Sequence, residues 1–221
     1  MELAVDTERD QWLCFFRGLN VFGRGKLAMP ELRRQCSEAF DKSGLPLRFL
    51  DSYGPTGNVA LSSTGVPAEK ILQLLFEAVP KPCAMVQPGV VGQLNDAFRA
   101  WPTPVDAQGF RWTRGACLLC DGKPETTELA QNPDLGVFIR VDRGLVAVYR
   151  KERETNRGTL DHSDRCGGWA AVSNHIERVL GGCWTARSLN VIRELSLFLR
   201  PNIALERTAS SHPLTANVRH G

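Results

Sequence analysis

The sequence has no apolar run long enough to cross a bilayer. Its longest stretches, residues 13–16 and 145–149, fall far short of the roughly 20 residues a spanning helix needs. It also lacks a charge excess of one sign: 27 lysines and arginines stand against 24 acids, a formal charge of +3. A protein held mainly by nucleic-acid phosphates carries a larger cationic surplus. The opening stretch MELAVDTERDQW places acids where a secretory leader carries a basic segment and an apolar core. The expectation is a soluble, cytoplasmic chain with no membrane partner. A disulfide-dense scaffold is excluded as well, because the seven cysteines are odd in number and scattered over positions 14, 36, 83, 117, 120, 166 and 183. They read as reduced thiols, most of them filling a core.

Several chemical signatures are missing. There is no phosphate loop of the form GxxxxGK followed by Ser or Thr and no GxGxxG fingerprint, so no nucleotide or other cofactor is expected. No GxSxG elbow or Cys-His arrangement marks a nucleophile. Cys117 and Cys120 form CLLC, but residues three apart on a strand face opposite ways and no second cysteine pair completes a zinc set. Cys166, Cys183, His162 and His175 are spaced too irregularly to read as a ligand set, and the histidines read as loop or helix-surface residues. Glu152 and Glu154 flank Arg153 in what reads as a solvated charged extension. No metal is expected.

What the chain does have is 43% hydrophobic residues over 221 positions, enough for a sizeable core. The compact run QWLCFF at 11–16 reads as a buried strand, and residues 29–42 as a helix ending near Gly44. Strands at 47–53 and 58–62, a helix at 67–79 and a strand at 83–87 complete a strand-helix-strand-strand-helix-strand half. The second half repeats that order less clearly. It comprises a helix at 90–100, a strand at 117–120, a helical turn at 126–131, a hairpin of 136–141 with 145–150, and a helix at 170–180. Thr185 reads as the N-cap of a final helix reaching Leu199, stopped by Pro201. Residues 1–10 read as an extension, 11–199 as one unit of two pseudo-repeats (about 11–88 and 89–199), and 200–221 as a flexible tail.

The residues Arg17, Gly18, Leu19 and Asn20, then Gly23, Lys26, Met29, Leu32 and Arg33, resemble the bacterial family of uncharacterised proteins known as DUF1697. The resemblance continues at Tyr53, Gly57, Asn58 and Val59 and returns at Thr185, Ala186 and Arg187. It implies an α+β fold of two intertwined βαββαβ-like repeats whose sheets combine in a barrel-like core, and it implies no established reaction. This chain departs from the family pattern at Phe22 (a glycine is common), Thr56 (serine), Ser188 (asparagine) and Val191 (threonine).

The candidate ligand-binding residues are Arg17, Asn20, Lys26, Tyr53, Asn58 and Arg187. Arg17, Asn20, Arg24 and Lys26 surround a glycine-containing loop that either cradles an anion or makes a sharp connection with solvated cations. Asn58 either recognises a ligand or satisfies loop backbone, and Arg187 either grips phosphate or carboxylate or pairs with an acid. A weaker nucleic-acid reading rests on Arg140, Arg143, Arg150, Lys151, Arg153 and Arg157 beside Phe138 and Tyr149. The leading expectation is a protein that binds an anionic metabolite or nucleic-acid phosphate in a polar, loop-lined site. A cofactor-independent enzyme using the same pocket and a protein-interaction module are the alternatives. The catalytic residues of such an enzyme and the oligomeric state have no signature in the sequence.

Overall fold

The computed structural model describes residues 8–19, 27–104, 111–152 and 168–199. The tail expected at 200–221 and most of the N-terminal extension lie outside the described residues. A short 3₁₀ turn (Glu8–Asp10) leads into β1 (Gln11–Phe16), α1 (Met29–Ser43), β2 (Phe49–Tyr53), β3 (Asn58–Ser62), α2 (Ala68–Ala78) and β4 (Cys83–Val86). The second half runs α3 (Val90–Ala100), β5 (Arg111–Asp121), β6 (Gly136–Arg140), β7 (Leu145–Glu152), α4 (Trp169–Leu180), β8 (Cys183–Ser188) and α5 (Leu189–Leu197). Among the described residues no helix is long and apolar enough to cross a membrane.

The strands form two four-stranded antiparallel sheets, ordered β2-β3-β1-β4 and β6-β7-β5-β8. The two orders are equivalent, each the split β-α-β arrangement in which the first strand of a half lies between its third and fourth. The sequence expectation of a barrel-like combined sheet is therefore wrong: among the described residues no ladder joins the sheets and neither closes. One physical reason is that β5 is already paired on both edges, with β7 and β8. Another is that β4 has only four residues, flanked by Pro82 and Pro88, which carry no amide proton for a new ladder.

Side-chain packing joins the two sheets. On β1, Leu13 and Phe15 enter a cluster with Ala116 and Leu118 of β5 and Leu145, Ala147 and Tyr149 of β7, filled out by α3 and α5. Cys14 and Phe16 point the other way, into a cluster with α1 and α2. On the far side of the second sheet, Cys117, Val146 and Val148 pack with α4. The central strands thus bury both faces, which is why QWLCFF and LVAVY are continuous apolar runs instead of alternating ones. Alanines on four facing strands, Ala60, Ala84, Ala116 and Ala147, leave room for the larger Phe15 and Tyr149. The Tyr149 hydroxyl donates to the carbonyls of Phe98 (3.2 Å) and Trp101 (2.8 Å), tying β7 to the end of α3.

Two further expectations for the second half are corrected. The turn at 126–131 is not helical. Gln131 instead uses its amide as a surrogate strand, donating to Phe138 O (2.8 Å) and accepting from Phe138 N (2.9 Å), and so covers the free edge of β6. Thr185 is not a helix cap but a buried strand residue opposite Leu118. The cap of α5 is Ser188, whose hydroxyl accepts from the amide of Val191 (3.4 Å).

Gly115 in β5 marks a close approach of side chain and backbone in the second sheet. A Cβ there would lie 2.2 Å from the Trp169 ring and 2.4 Å from the Arg187 carbonyl. Gly115→Ala is expected to destabilise the chain by about 1–3 kcal/mol in urea unfolding, because the indole and the β8 backbone must both move. A change below about 0.5 kcal/mol would show that this contact is loose.

Candidate functional site

Arg187 lies near the end of β8, its backbone paired with Ala116. Its neighbours Trp184 and Ala186 face α4, so strand alternation turns Thr185 and Arg187 toward the first half of the chain. The guanidinium has five N–H groups and all five are engaged. Nε donates to Asn58 Oδ1 (2.6 Å), Nη1 to Thr185 Oγ1 (2.7 Å) and the Ala186 carbonyl (2.9 Å), and Nη2 to the carbonyls of Phe16 (2.7 Å) and Thr56 (3.1 Å). Its charge also lies 5.8 Å from the Phe15 ring centroid. None of the five acceptors is an anion. Burial lowers the pKa of Arg187 to about 10, so it still carries its charge at neutral pH.

Asn58 completes this node. It is 1% exposed, and its Nδ2 donates to the Tyr53 carbonyl (3.0 Å) and Thr56 Oγ1 (3.1 Å). With Oδ1 accepting from Arg187, the amide orientation follows from the network. The turn between β2 and β3 is tight: Gly57 has a φ of 72°, and a Cβ there would meet Leu19 at 2.7 Å. Of the six sequence-predicted site residues, Asn58 and Arg187 meet directly. Tyr53 contributes its carbonyl, while its ring packs edge-on against Phe198 at 6.2 Å. Asn20 and Lys26 lie outside the described residues.

Arg17 approaches the same region from the end of β1. Its Nη2 pairs with Glu177 Oε2 at 2.7 Å, and Glu177 Oε1 accepts from the Trp184 amide at 2.8 Å, linking β1, α4 and β8. Beside Arg17 and Arg187 is a cavity of about 530 Å³. Leu19, Pro82, Trp169, Ala186 and Val191 give it apolar walls, and its lining charges are Arg17, Lys81 and Arg187, all cationic. Lys81 is exposed and makes no ion pair among the described residues.

Sequence reasoning missed Lys81, Trp169 and Glu177. One signal was present: a lone glycine inside a strand, Gly115, marks a close approach, which the Trp169 ring makes. The expected aromatic platform for nucleic acid does not form, because Phe138 and Tyr149 are 3% and 1% exposed. Arg150 pairs with Glu152 and lies 5.3 Å over the Trp169 ring, while Arg140 donates to the Arg143 carbonyl (2.7 Å). Arg153 and Arg157 lie outside the described residues. His175, expected on a loop or helix surface, is buried against Phe138 with Nε2 3.0 Å from the Ala130 carbonyl. Among the described residues no cluster has metal-ligand composition.

No protein-family model and no curated protein matches the sequence. A solved structure, the conserved bacterial protein SP0830 from Streptococcus pneumoniae, is similar over 86% of this chain and 98% of its own, with 17% identity and a TM-score of 0.48. That likeness assigns neither family nor function.

Lysine at position 187 would offer three donors where five acceptors wait. Arg187→Lys is expected to lower stability by about 2–4 kcal/mol, since a buried acceptor left unmet costs about 1–3 kcal/mol. Urea unfolding measures the loss, and a value under about 0.5 kcal/mol would mean the five bonds hold little together.

Proposed function

We propose that the chain binds a small anion with an apolar body in the cavity beside Arg17 and Arg187, acting as a binding protein that needs no cofactor. The observation that carries this reading is the pairing of apolar walls with lining charges of one sign: Arg17, Lys81 and Arg187. The volume of about 530 Å³ falls in the range of small-molecule sites, roughly 300–1,000 Å³. Arg187 is not the anion's main partner in this reading. Its donors set the wall, and recognition passes to the Lys81 ammonium and to Arg17, whose side chain is 35% exposed and held by one carboxylate.

The DUF1697 resemblance belongs with this proposal and supports the same place. Three of the four positions where the chain departs from that pattern, Thr56, Ser188 and Val191, line the cavity; Phe22 lies outside the described residues. Departure from the pattern around one cavity suits a ligand particular to this chain. Residues 11–199 are read as a single cytoplasmic unit, the inter-sheet cluster supporting their cohesion.

Phenyl phosphate is a suitable probe, with benzyl alcohol as the neutral comparison of similar size. Calorimetric titration is expected to show binding of the anion alone. Lys81→Gln is expected to weaken it about tenfold, the loss of one hydrogen bond to a charged group. Equal affinity for both compounds, or an unchanged affinity in Lys81→Gln, would contradict anion recognition here.

A further inference from the structure

Two thiols that the sequence separates by 63 positions, Cys120 and Cys183, are brought to one place by strand pairing. In the β5–β8 ladder Leu118 lies opposite Thr185 and Leu119 opposite Trp184. Continued by one residue, that register sets Cys120 opposite Cys183. The ladder instead becomes irregular there, with Asp121 pairing Cys183, so that Cys120 and Asp121 together face one residue. The side chains share a face. Trp184 and Ala186 pack toward α4, which turns Cys183 to the other side, and Cys120 packs on the inter-sheet cluster of that same side. The two thiols are near enough for each to influence the other's ionisation.

The other described cysteines differ. Cys14, Cys36, Cys83 and Cys117 are buried, whereas Cys120 and Cys183 are both partly exposed. Cys117, the apparent partner of Cys120 in CLLC, faces α4 from the opposite side of β5. Directly opposed residues on antiparallel strands hold their Cβ atoms about 4.5–5.5 Å apart. A disulfide needs about 3.5–4.5 Å. For a directly opposed pair the gap is thus up to about 1–2 Å, and at Cys120 the irregular ladder is the place where the backbone can yield.

We infer that Cys120 and Cys183 form a reversible oxidation site, closing a cross-strand disulfide when the chain meets hydrogen peroxide. Cys183 reacts first: it adjoins Trp184, whose amide is held by the Glu177 carboxylate paired with Arg17, and the Arg17 charge favours its thiolate against burial. The Cys183 thiol gives up its proton and its sulfur attacks one peroxide oxygen; the O–O bond breaks, the departing hydroxide takes up that proton as water, and Cys183 becomes a sulfenic acid. The Cys120 sulfur then attacks the Cys183 sulfur, the S–OH bond breaks, and water departs with the Cys120 proton. In sum, two thiols are oxidised by two electrons and one peroxide is reduced to two waters. Burial raises both thiol pKa values, that of Cys120 far above its ordinary range, so the reaction quickens as pH rises toward them. Oxidation also removes a thiolate that the Arg17 charge influences, which couples the thiol pair electrostatically to a residue lining the cavity.

The full-length reduced chain, exposed to graded peroxide, alkylated and mapped by mass spectrometry, tests the site without any variant. The expected product is a peptide pair joined through Cys120 and Cys183, lighter by two hydrogens, reversed by dithiothreitol and formed faster at higher pH. In Cys120→Ser, Cys183 is expected to stop at a sulfenic acid that dimedone traps. Cys120 and Cys183 both remaining alkylatable at peroxide levels that oxidise a free-thiol peptide would overturn the inference. So would joining of Cys183 to a different cysteine, such as Cys166.

Discussion

The guanidinium of Arg187 is the point at which the two halves of the chain are fastened. Its Nε and Nη2 donate to Asn58, Phe16 and Thr56 of the first half, and its Nη1 donates to Thr185 and Ala186 of the second. A buried cation without an anionic partner is costly, and it persists only when hydrogen bonds replace the lost water. Five neutral acceptors do so here. Two of those from the first half are backbone carbonyls at the ends of β1 and of the β2–β3 turn, which makes Arg187 the means by which they are satisfied at a place where the two sheets meet without a ladder.

Other contacts depend on this one. Gly115 lets the Arg187 backbone and the Trp169 ring come close, and Trp169 is a wall of the cavity. The Arg17–Glu177 pair, with Glu177 also holding the Trp184 amide, aligns α4 with the same strand end. The cavity is therefore built at a seam. Its frame is made of groups that satisfy each other, while Lys81 remains available at the rim. A rigid polar frame beside an apolar hollow is the arrangement that orients a small ligand.

Much of the fold was legible where burial writes itself into residue type. Residues 11–16 read as a strand because both faces of β1 are covered, and the helical stripes of α1, α2 and α3 show the buried positions Leu32, Cys36 and Phe40, Ile71 and Leu75, and Leu94 and Phe98. Sheet closure was not legible, because a ladder is made by backbone atoms that every residue shares. Strand β8 was missed although Trp184 and Ala186 alternate with Thr185 and Arg187. Those polar residues face a hydrogen-bonded node instead of water, and a threonine before an apolar stripe also fits a helix start. Asn58 and Arg187 could be singled out as residue types, but a contact across 129 positions has no local trace in a single sequence.

The most direct test of the fastening is a double-mutant cycle in urea unfolding, with Arg187→Met, Asn58→Ala and the pair together. The 2.6 Å bond between a charged donor and a fully buried amide oxygen should appear as a coupling of about 1.5–3 kcal/mol. Additive losses, with a coupling within about 0.3 kcal/mol of zero, would show that Arg187 does not hold the two halves through Asn58.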